Sequence, residues 1–240
     1  MRYGVLGDVH GNLEALSGVL ADAHEAGADR LLCVGDVIGY GASPKECIDL
    51  LREHDAVVVA GNHDWAAVEK VGIEYFNADA RDSIEWTREQ LSEPDLEYLS
   101  RMPLVNTLDD ITLVHSSPFS PEYFDYVQTL YDVRLAFDHL RTRICFVGHS
   151  HIPVIFLNSE PVDYFLRPEL DLPPDRRVIV NVGSVGQPRD LDPRACYVIW
   201  DADQGRISVR RVEYDLHAAS QRMVAAGLPL TNAARIVLGR

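Results

Sequence analysis

The sequence predicts an α/β fold for a chain of 240 residues, and two features of its pattern support this prediction. Short apolar segments alternate with stretches whose apolar residues recur at helical spacing, and mostly short loops lie between them. This alternation is typical of βαβ units, whose strands run parallel. Hydrophobic residues make up 47% of the chain, enough for a sizeable core at this length, and no linker or internal repeat interrupts it. We therefore expect a single domain spanning residues 1–240.

The first half of the chain contains three predicted strands and two predicted helices. The strands cover residues 3–6, 31–34 and 56–60. The first helix covers residues 13–23, where apolar side chains share one helical face. The segment Ser43-Pro44-Lys45-Glu46 matches a capping box with proline at the first helical position, which predicts that the second helix begins there.

The second half is predicted to be richer in strands. Residues 79–101 are predicted to form two helices around Pro94, and Pro173-Pro174 indicates a loop. A late helix is predicted at residues 215–226, ended by Gly227 and Pro229. The strands predicted after residue 101 are 111–114, 144–147, 154–157, 178–182, 195–200 and 207–212.

The chain is strongly acidic, with 22 Lys and Arg against 37 Asp and Glu and a formal charge of −15. A surface of this sign repels a phosphate backbone, so we expect no duplex nucleic acid as a partner. Metal ions can still invert the local sign and allow a phosphate to bind. Nothing in the sequence indicates an oligomeric state.

Several features favour a cytoplasmic protein. The first residues lack the pattern of a signal peptide, and no apolar run approaches the ~20 residues of a membrane span. Four widely spaced cysteines without a CxxC motif are typical of a reduced, intracellular chain. We therefore expect a cytoplasmic location and no membrane partner.

Polar residues follow the predicted strands and provide candidate metal ligands. In an open α/β sheet, ligands bind beyond the carboxyl ends of the strands, and the glycines beside these residues allow close approach of the backbone. Oxygen and nitrogen donors without thiolate suit Mn²⁺, Fe, Zn²⁺ or Ni²⁺ better than Ca²⁺. Seven ligands exceed the need of one ion, and with one shared carboxylate they suit two ions ~3.5–4 Å apart. The seven candidates are Asp8, His10, Asp36, Asn62, His115, His149 and His151.

These segments, in this order, resemble a known signature. Asp8-x-His10, Gly35-Asp36, Gly61-Asn62-His63-Asp64, His115 and Gly148-His149-x-His151 are similar to the five blocks of the calcineurin-like metallophosphoesterases. The segment Gly183-Ser184-Val185-Gly186-Gln187-Pro188-Arg189 resembles a late segment of the small bacterial and archaeal phosphodiesterase branch. The resemblance runs from residue 8 to residue 189.

The resemblance implies a four-layer α/β/β/α sandwich with the site between two sheets. It also implies a dinuclear metal-dependent phosphohydrolase, with a phosphodiesterase of a small-molecule phosphoester favoured and with attack by a hydroxide that bridges the two ions. Asp36 would bridge the ions, and His63 would act on the leaving group. By position, one ion would take Asp8, His10, Asp36 and His151, and the other Asp36, Asn62, His115 and His149.

Two positions depart from the pattern of the related protein phosphatases and symmetrical dinucleotide hydrolases. Gly39 stands where their aspartate supports the catalytic histidine, and Tyr40 stands where their arginine clamps phosphate. What orients His63 is therefore open, although Asp64 is its neighbour in sequence. Arg189 is a candidate replacement for the clamp, with a surface or turn position as the alternative.

Other functions of the same fold remain as alternatives. A phosphomonoesterase or protein phosphatase, a dinucleoside polyphosphate hydrolase and a nuclease occur in the same superfamily, and a non-catalytic scaffold shares the fold. The presence of His63 together with all seven candidate ligands favours an enzyme over a scaffold. Residues 116–130 are rich in Tyr, Phe and Pro, which fits either a specificity loop or ordinary packing.

Overall fold

Two mixed sheets of six strands each form the centre of the molecule in the computed structural model, which describes all 240 residues. The strands are β1 (Arg2–Leu6), β2 (Arg30–Cys33), β3 (Val57–Val58), β4 (Val105–Leu108), β5 (Ile111–Val114), β6 (Ile144–Val147), β7 (Val154–Leu157), β8 (Asp163–Phe165), β9 (Glu169–Asp171), β10 (Val178–Asn181), β11 (Ala195–Asp201) and β12 (Arg206–Val212). The helices are α1 (Leu13–Glu25), α2 (Pro44–Glu53), α3 (Asn62–Ala67), α4 (Ala78–Gln90), α5 (Glu93–Arg101), α6 (Leu130–His139), α7 (Leu216–Ala225) and α8 (Leu230–Leu238), with a short 3₁₀ turn at Pro121–Tyr123.

The first sheet has the strand order β3-β2-β1-β11-β12-β9, and the second has the order β4-β5-β6-β10-β7-β8. The strands β1, β2 and β3 are parallel, as the sequence predicts. Beside them, β11 runs antiparallel to β1, with Tyr3 opposite Trp200. In the second sheet, β10 inserts between β6 and β7 and is parallel to β6. The parallel strands bring their carboxyl ends to one edge, where the site lies.

Alternation along the strands builds the four layers. Leu32 points between the two sheets and Cys33 points to the helices on the outer face of the first sheet. Phe146 points between the sheets as well, whereas Cys145 packs toward α6 on the outer face of the second sheet. Because successive side chains of a strand face opposite sides, each sheet is buried on both faces. The α/β/β/α sandwich is confirmed.

Three local predictions differ from the structure. The third strand is only two residues long. The N–H of Ala60 donates to the carbonyl of Pro103 at 2.8 Å and so does not take part in the pairing with β2. Helix α2 begins at Pro44 as predicted, but the Ser43 hydroxyl makes no cap hydrogen bond and is buried without a partner. The Ser43 N–H donates instead to the carbonyl of Gly11. Helices α3, α6 and α8 and strands β4, β8 and β9 were not predicted.

The helices are all too short or too polar to cross a membrane.

Candidate metal centre

The seven candidate ligands converge between the ends of the two sheets. The donor atoms form three groups, and within each group the atoms lie within 4.8 Å of one another. The first group comes from Asp8, His10 and His151, the second from Asp36, His115 and His149, and the third from His10, Asp36 and His63. Asp36 connects the groups, since its Oδ2 lies 3.7 Å from Nε2 of His10 and 3.4 Å from Nε2 of His115. The amide oxygen of Asn62 lies 3.2 Å from Nε2 of His115 and joins the second group.

Left-handed backbone aims these side chains inward. Asp8, His10, Asp36, His149 and His151 have φ values of 50°, 50°, 51°, 66° and 61°. Such conformations cost about 1–3 kcal/mol each outside glycine and cluster at functional sites. Cross-strand hydrogen bonds hold them, among them Asp8 N–H to the carbonyl of Gly35 and His10 N–H to the carbonyl of Asp36, both at 2.9 Å.

Two glycines allow the carboxylates to lie against backbone. A Cβ added to Gly148 would lie 2.3 Å from Oδ2 of Asp8, and one added to Gly61 would lie 2.1 Å from Oδ1 of Asp36. Asp8 uses the space to accept the N–H of His149 at 3.0 Å, and Asp36 accepts the N–H of His63 at 2.8 Å. Any side chain at either glycine would displace a carboxylate.

The tautomers of two histidines follow from backbone carbonyls. Nδ1 of His10 donates to the carbonyl of Ile38 at 3.1 Å, and Nδ1 of His151 donates to the carbonyl of Gln187 at 2.6 Å. A neutral imidazole has one N–H, so Nε2 of each ring is a bare acceptor. These two nitrogens face each other at 3.1 Å, and Oδ1 of Asp8 lies 3.2 Å from Nε2 of His151. Acceptors directed at one point fit a cation between them.

The second group repeats this arrangement. Nδ1 of His115 donates to the carbonyl of Val34 at 2.9 Å, so its Nε2 is the acceptor of the neutral ring. That nitrogen faces the Asn62 amide oxygen and Nδ1 of His149, the latter at 3.1 Å. Burial alone would lower the pKa of His115, but the carboxylate of Asp36 beside it raises that pKa to about 9. The carboxylate of Asp36 therefore opposes the effect of burial and favours positive charge at this group.

His63 lies beside the ligands and shares the third donor group with His10 and Asp36. Its Nδ1 is buried and has no hydrogen-bond partner. Asp64 does not orient it, since the Asp64 carboxylate accepts the N–H groups of Val37 and Gly61, each at 2.9 Å. Burial lowers the pKa of His63 to about 4.

Packing holds the His63 ring instead. The rings of Tyr40 and Phe76 lie 4.6 Å and 5.1 Å from it, centroid to centroid, and the ring of His10 lies 4.9 Å away. A Cβ added to Gly39 would lie 2.4 Å from Nδ1 of His63, so the glycine lies directly against the ring.

A cavity of about 550 Å³ opens over this centre. Its floor includes Asp36, Asn62, His63, His149 and His151. Its walls come from residues 71–80, between α3 and the start of α4, and residues 122–126, after β5. Four of the seven metal-ligand candidates therefore face a space that a small molecule can enter.

Comparison with known proteins identifies the family. A model of the calcineurin-like phosphoesterase superfamily domain matches residues 1–205. The chain belongs to the calcineurin-like phosphoesterase superfamily. As a calcineurin-like phosphoesterase it is a hydrolase that acts on phosphoesters, and its family implies bound divalent metal ions. The opposed acceptor atoms of the two donor groups fit such ions.

The similarity to individual proteins extends over the whole chain. The crystal structure of a metallophosphoesterase from Sphaerobacter thermophilus is 38% identical, with a TM-score of 0.90, and the match covers 100% of this chain and 99% of that one. An uncharacterized protein of Methanocaldococcus jannaschii is 37% identical over 241 residues, which cover 98% of this chain and 97% of that protein. A hypothetical protein from Pyrococcus horikoshii is 19% identical with a TM-score of 0.80, covers 100% of this chain and 98% of its own, and shares the fold.

Arg189 of this phosphoesterase, the candidate phosphate clamp, lies at the cavity wall. Its guanidinium donates to Oε1 of Gln187 from Nη2 at 2.8 Å and from Nε at 3.2 Å. The same group lies 5.7 Å from the centre of the Tyr40 ring. Tyr40 thus takes the family arginine's place in sequence and packs against an arginine from a distant segment.

Sequence reasoning missed the residues that orient the site. The carbonyls of Val34, Ile38 and Gln187 fix the histidine tautomers, and no sequence pattern marks a carbonyl for this role. Asn181 is also buried and donates to the carbonyl of Gly148 at 2.7 Å, which holds the loop of His149. The sequence feature that could have identified Asn181 is its position near the end of the predicted strand 178–182.

Proposed function

We propose that this phosphoesterase is a dinuclear metal-dependent phosphodiesterase of a small molecule. The observation that supports it best is the pair of donor groups joined by Asp36 at the floor of the cavity. In this proposal Asp36 would be a ligand of both ions. One ion would be held by Asp8, His10, Asp36 and His151, and the other by Asp36, Asn62, His115 and His149.

The donor set favours particular metals. Histidine nitrogens, carboxylates and one amide, without thiolate, suit Mn²⁺, Fe, Zn²⁺ or Ni²⁺, and we propose manganese as the first ion to test. When bound, two such ions would neutralise phosphate charge and lower the pKa of bound water.

His63 and Arg189 act on the substrate in this proposal. The His63 ring lines the cavity and makes no side-chain hydrogen bond, so it is free to donate to the leaving oxygen. Arg189 is the cationic side chain of the cavity wall, which supports a role in holding a phosphate oxygen. The packing of Tyr40 and Phe76 keeps His63 in its orientation and excludes water from one side of the ring.

Charge supports a diester over a monoester or a phosphoprotein. Arg189 is the cavity's one lysine or arginine, while Glu122 adds a negative charge to the wall. A phosphodiester carries one negative charge, whereas a monoester carries ~1.5–2 at neutral pH. The diester has less negative charge to be neutralised, which fits a lining with a single cationic side chain better.

We also propose a cytoplasmic enzyme without a nucleic-acid duplex as partner. All four cysteines are buried thiols outside any disulfide, which is compatible with a reducing compartment. The net charge of −15 opposes binding to a phosphate backbone.

Metal-loaded protein and the variant His63→Ala test the proposal. We expect up to two ions per chain by elemental analysis, and faster turnover of a nitrophenyl phosphodiester than of the matching monoester. His63→Ala should keep both ions and lose turnover, with a larger loss for alkyl than for nitrophenyl esters, because a good leaving group needs little help. His217→Ala, on an exposed face of α7, is the control.

Three results would contradict parts of the proposal. A protein that binds one ion or none has no dinuclear centre. A preference for the monoester favours a phosphomonoesterase. Loss of metal in His63→Ala would make His63 a ligand, as the third donor group of His10, Asp36 and His63 allows.

A further inference from the structure

Five aromatic side chains line the two walls of the cavity. The segment 71–77 contributes Tyr75 and Phe76, and the segment 122–126 contributes Tyr123, Phe124 and Tyr126. Tyr75 is 93% exposed and Tyr123 is 72% exposed. Rings this exposed bury little surface in the fold, so core packing does not account for them. Exposed aromatics beside a cavity are typical of ligand-binding surfaces.

The wall formed by residues 122–126 has a strained backbone that side-chain contacts hold in place. Ser120 and Phe124 flank the 3₁₀ turn with φ values of 48° and 54°. A bulky residue in this region is a genuine outlier. Phe124 is anchored there by edge contacts to Trp65 and His115, with centroids 5.9 Å and 6.0 Å away. The exposed Tyr123 is therefore attached to a fixed base rather than to a loose loop.

A stacked pair of rings already lies inside the cavity. The ring of Tyr126 lies 4.1 Å from that of His149 at an interplanar angle of 22°. Tyr126 remains 46% exposed and lines the cavity. The wall therefore presents flat, polarisable surface next to a proposed metal ligand, where a second planar ring can stack.

The charge of the lining limits how many phosphates can bind. Arg189 is the only lysine or arginine in it, and Gln187 already holds its guanidinium. Glu122, also in the cavity wall, carries a negative charge. One phosphate can be neutralised by Arg189 together with the ions of the proposed function. Further phosphates along a chain would meet no cation and would face an acidic protein.

We infer that the substrate is a phosphoester that carries a flat aromatic group, a nucleobase or an aryl ring, on a single phosphate. The inference rests on the proposed function, because it places the phosphate at the metal centre and the ring between the aromatic walls. The volume of about 550 Å³ lies within the range of sites for ligands of this size, ~300–1,000 Å³.

Matched synthetic esters test the ring. Metal-loaded protein is assayed with dibenzyl phosphate and with bis(cyclohexylmethyl) phosphate, whose leaving alcohols have similar acidity. Cyclohexyl is the more hydrophobic group, so a preference for benzyl reports stacking rather than simple burial. We expect kcat/KM to be about tenfold higher for the benzyl ester, the order of one aromatic stacking contact.

Variants locate the preference. Tyr123→Leu and Tyr75→Leu should each reduce the benzyl preference several-fold. Tyr131→Leu is the control, since Tyr131 is 74% exposed on α6 and lies outside the cavity lining. Dibenzyl diphosphate has one more phosphate than dibenzyl phosphate and should have a KM at least tenfold higher. The comparison uses KM because the anhydride bond of the diphosphate is intrinsically more reactive than an ester bond.

The outcomes separate this inference from the proposed function. Hydrolysis of neither ester would overturn the proposed function itself. Hydrolysis of both at equal kcat/KM, or a benzyl preference that survives in both cavity variants, would overturn the aromatic site while leaving the phosphodiesterase. A KM for the diphosphate equal to or below that for dibenzyl phosphate would overturn the single-phosphate requirement.

Discussion

Replacing Gly39 by alanine tests whether packing alone positions His63. Gly39 has a φ of +89°, and a Cβ on it would lie 2.4 Å from Nδ1 of His63, where ordinary contact begins at 3.4 Å. The ring must therefore move by about 1 Å, and such a displacement of a reacting group can cost ~10²-fold in rate. We expect Gly39→Ala to lower kcat by about that factor for an alkyl phosphodiester, and by less for a nitrophenyl ester.

The same substitution also strains the backbone, and a second glycine separates the two effects. Alanine in this region costs about 1–3 kcal/mol, or roughly 2–12 °C in Tm for a chain of this size. Gly227, between α7 and α8, has a φ of +77°, and a Cβ there would meet nothing within 4 Å. Gly227→Ala should therefore show a comparable fall in Tm with unchanged kcat.

The assay measures kcat for both leaving groups, metal content and Tm for each variant. Equal kcat in Gly39→Ala and Gly227→Ala, with both proteins folded and metal-loaded, would refute the idea that the glycine positions the ring. A loss of metal in Gly39→Ala would refute it too, because the defect would then lie in the ligands.

Three further substitutions follow from the contacts described. Asp36→Asn should lower metal content and hydrolysis together, and turnover within a few-fold of wild type would contradict the bridging role. Asp64→Asn presents an N–H₂ group to backbone N–H donors and should destabilise the fold by about 1–3 kcal/mol in urea unfolding, whereas an unchanged midpoint would contradict this. The hydrogen bonds from Arg210 hold the pKa of Asp22 below its ordinary value, so the ionised carboxylate stabilises the folded state at neutral pH. Asp22→Asn should therefore have a lower Tm than the wild type at pH 7, and this difference should shrink as the pH falls below ~4 and through the lowered pKa of Asp22. A difference in Tm that stays constant with pH would contradict this expectation.

Local sequence features were sufficient to predict the first strands and to predict that the candidate ligands lie close together. Asp8 and Asp36 each follow a short apolar segment and a glycine, and parallel strands necessarily end at one edge. That inference needs no knowledge of which strands are neighbours. The four-layer arrangement came from the family resemblance instead.

Long-range contacts were beyond local patterns. Tyr3 and Trp200 are antiparallel partners from opposite ends of the chain, and no pattern near either residue specifies the other. The same applies to Phe76, which reaches His63 from the segment before α4. Helix α6 is different, because Thr129 accepts the N–H of Asp132 in a capping box that the sequence displays.

The left-handed backbone at the candidate ligands narrows which amino acids these positions tolerate. Asn, Asp and His are the side chains most enriched in this conformation outside glycine. They are also good donors for the metals considered. The backbone conformation and the metal chemistry therefore favour the same few amino acids at Asp8, Asp36 and His149. Glutamate, which retains the carboxylate at Asp36, lacks the short side chain that satisfies the turn, so an exchange that looks conservative by charge is not conservative here. Redesign of this centre for another metal would have to move the backbone first.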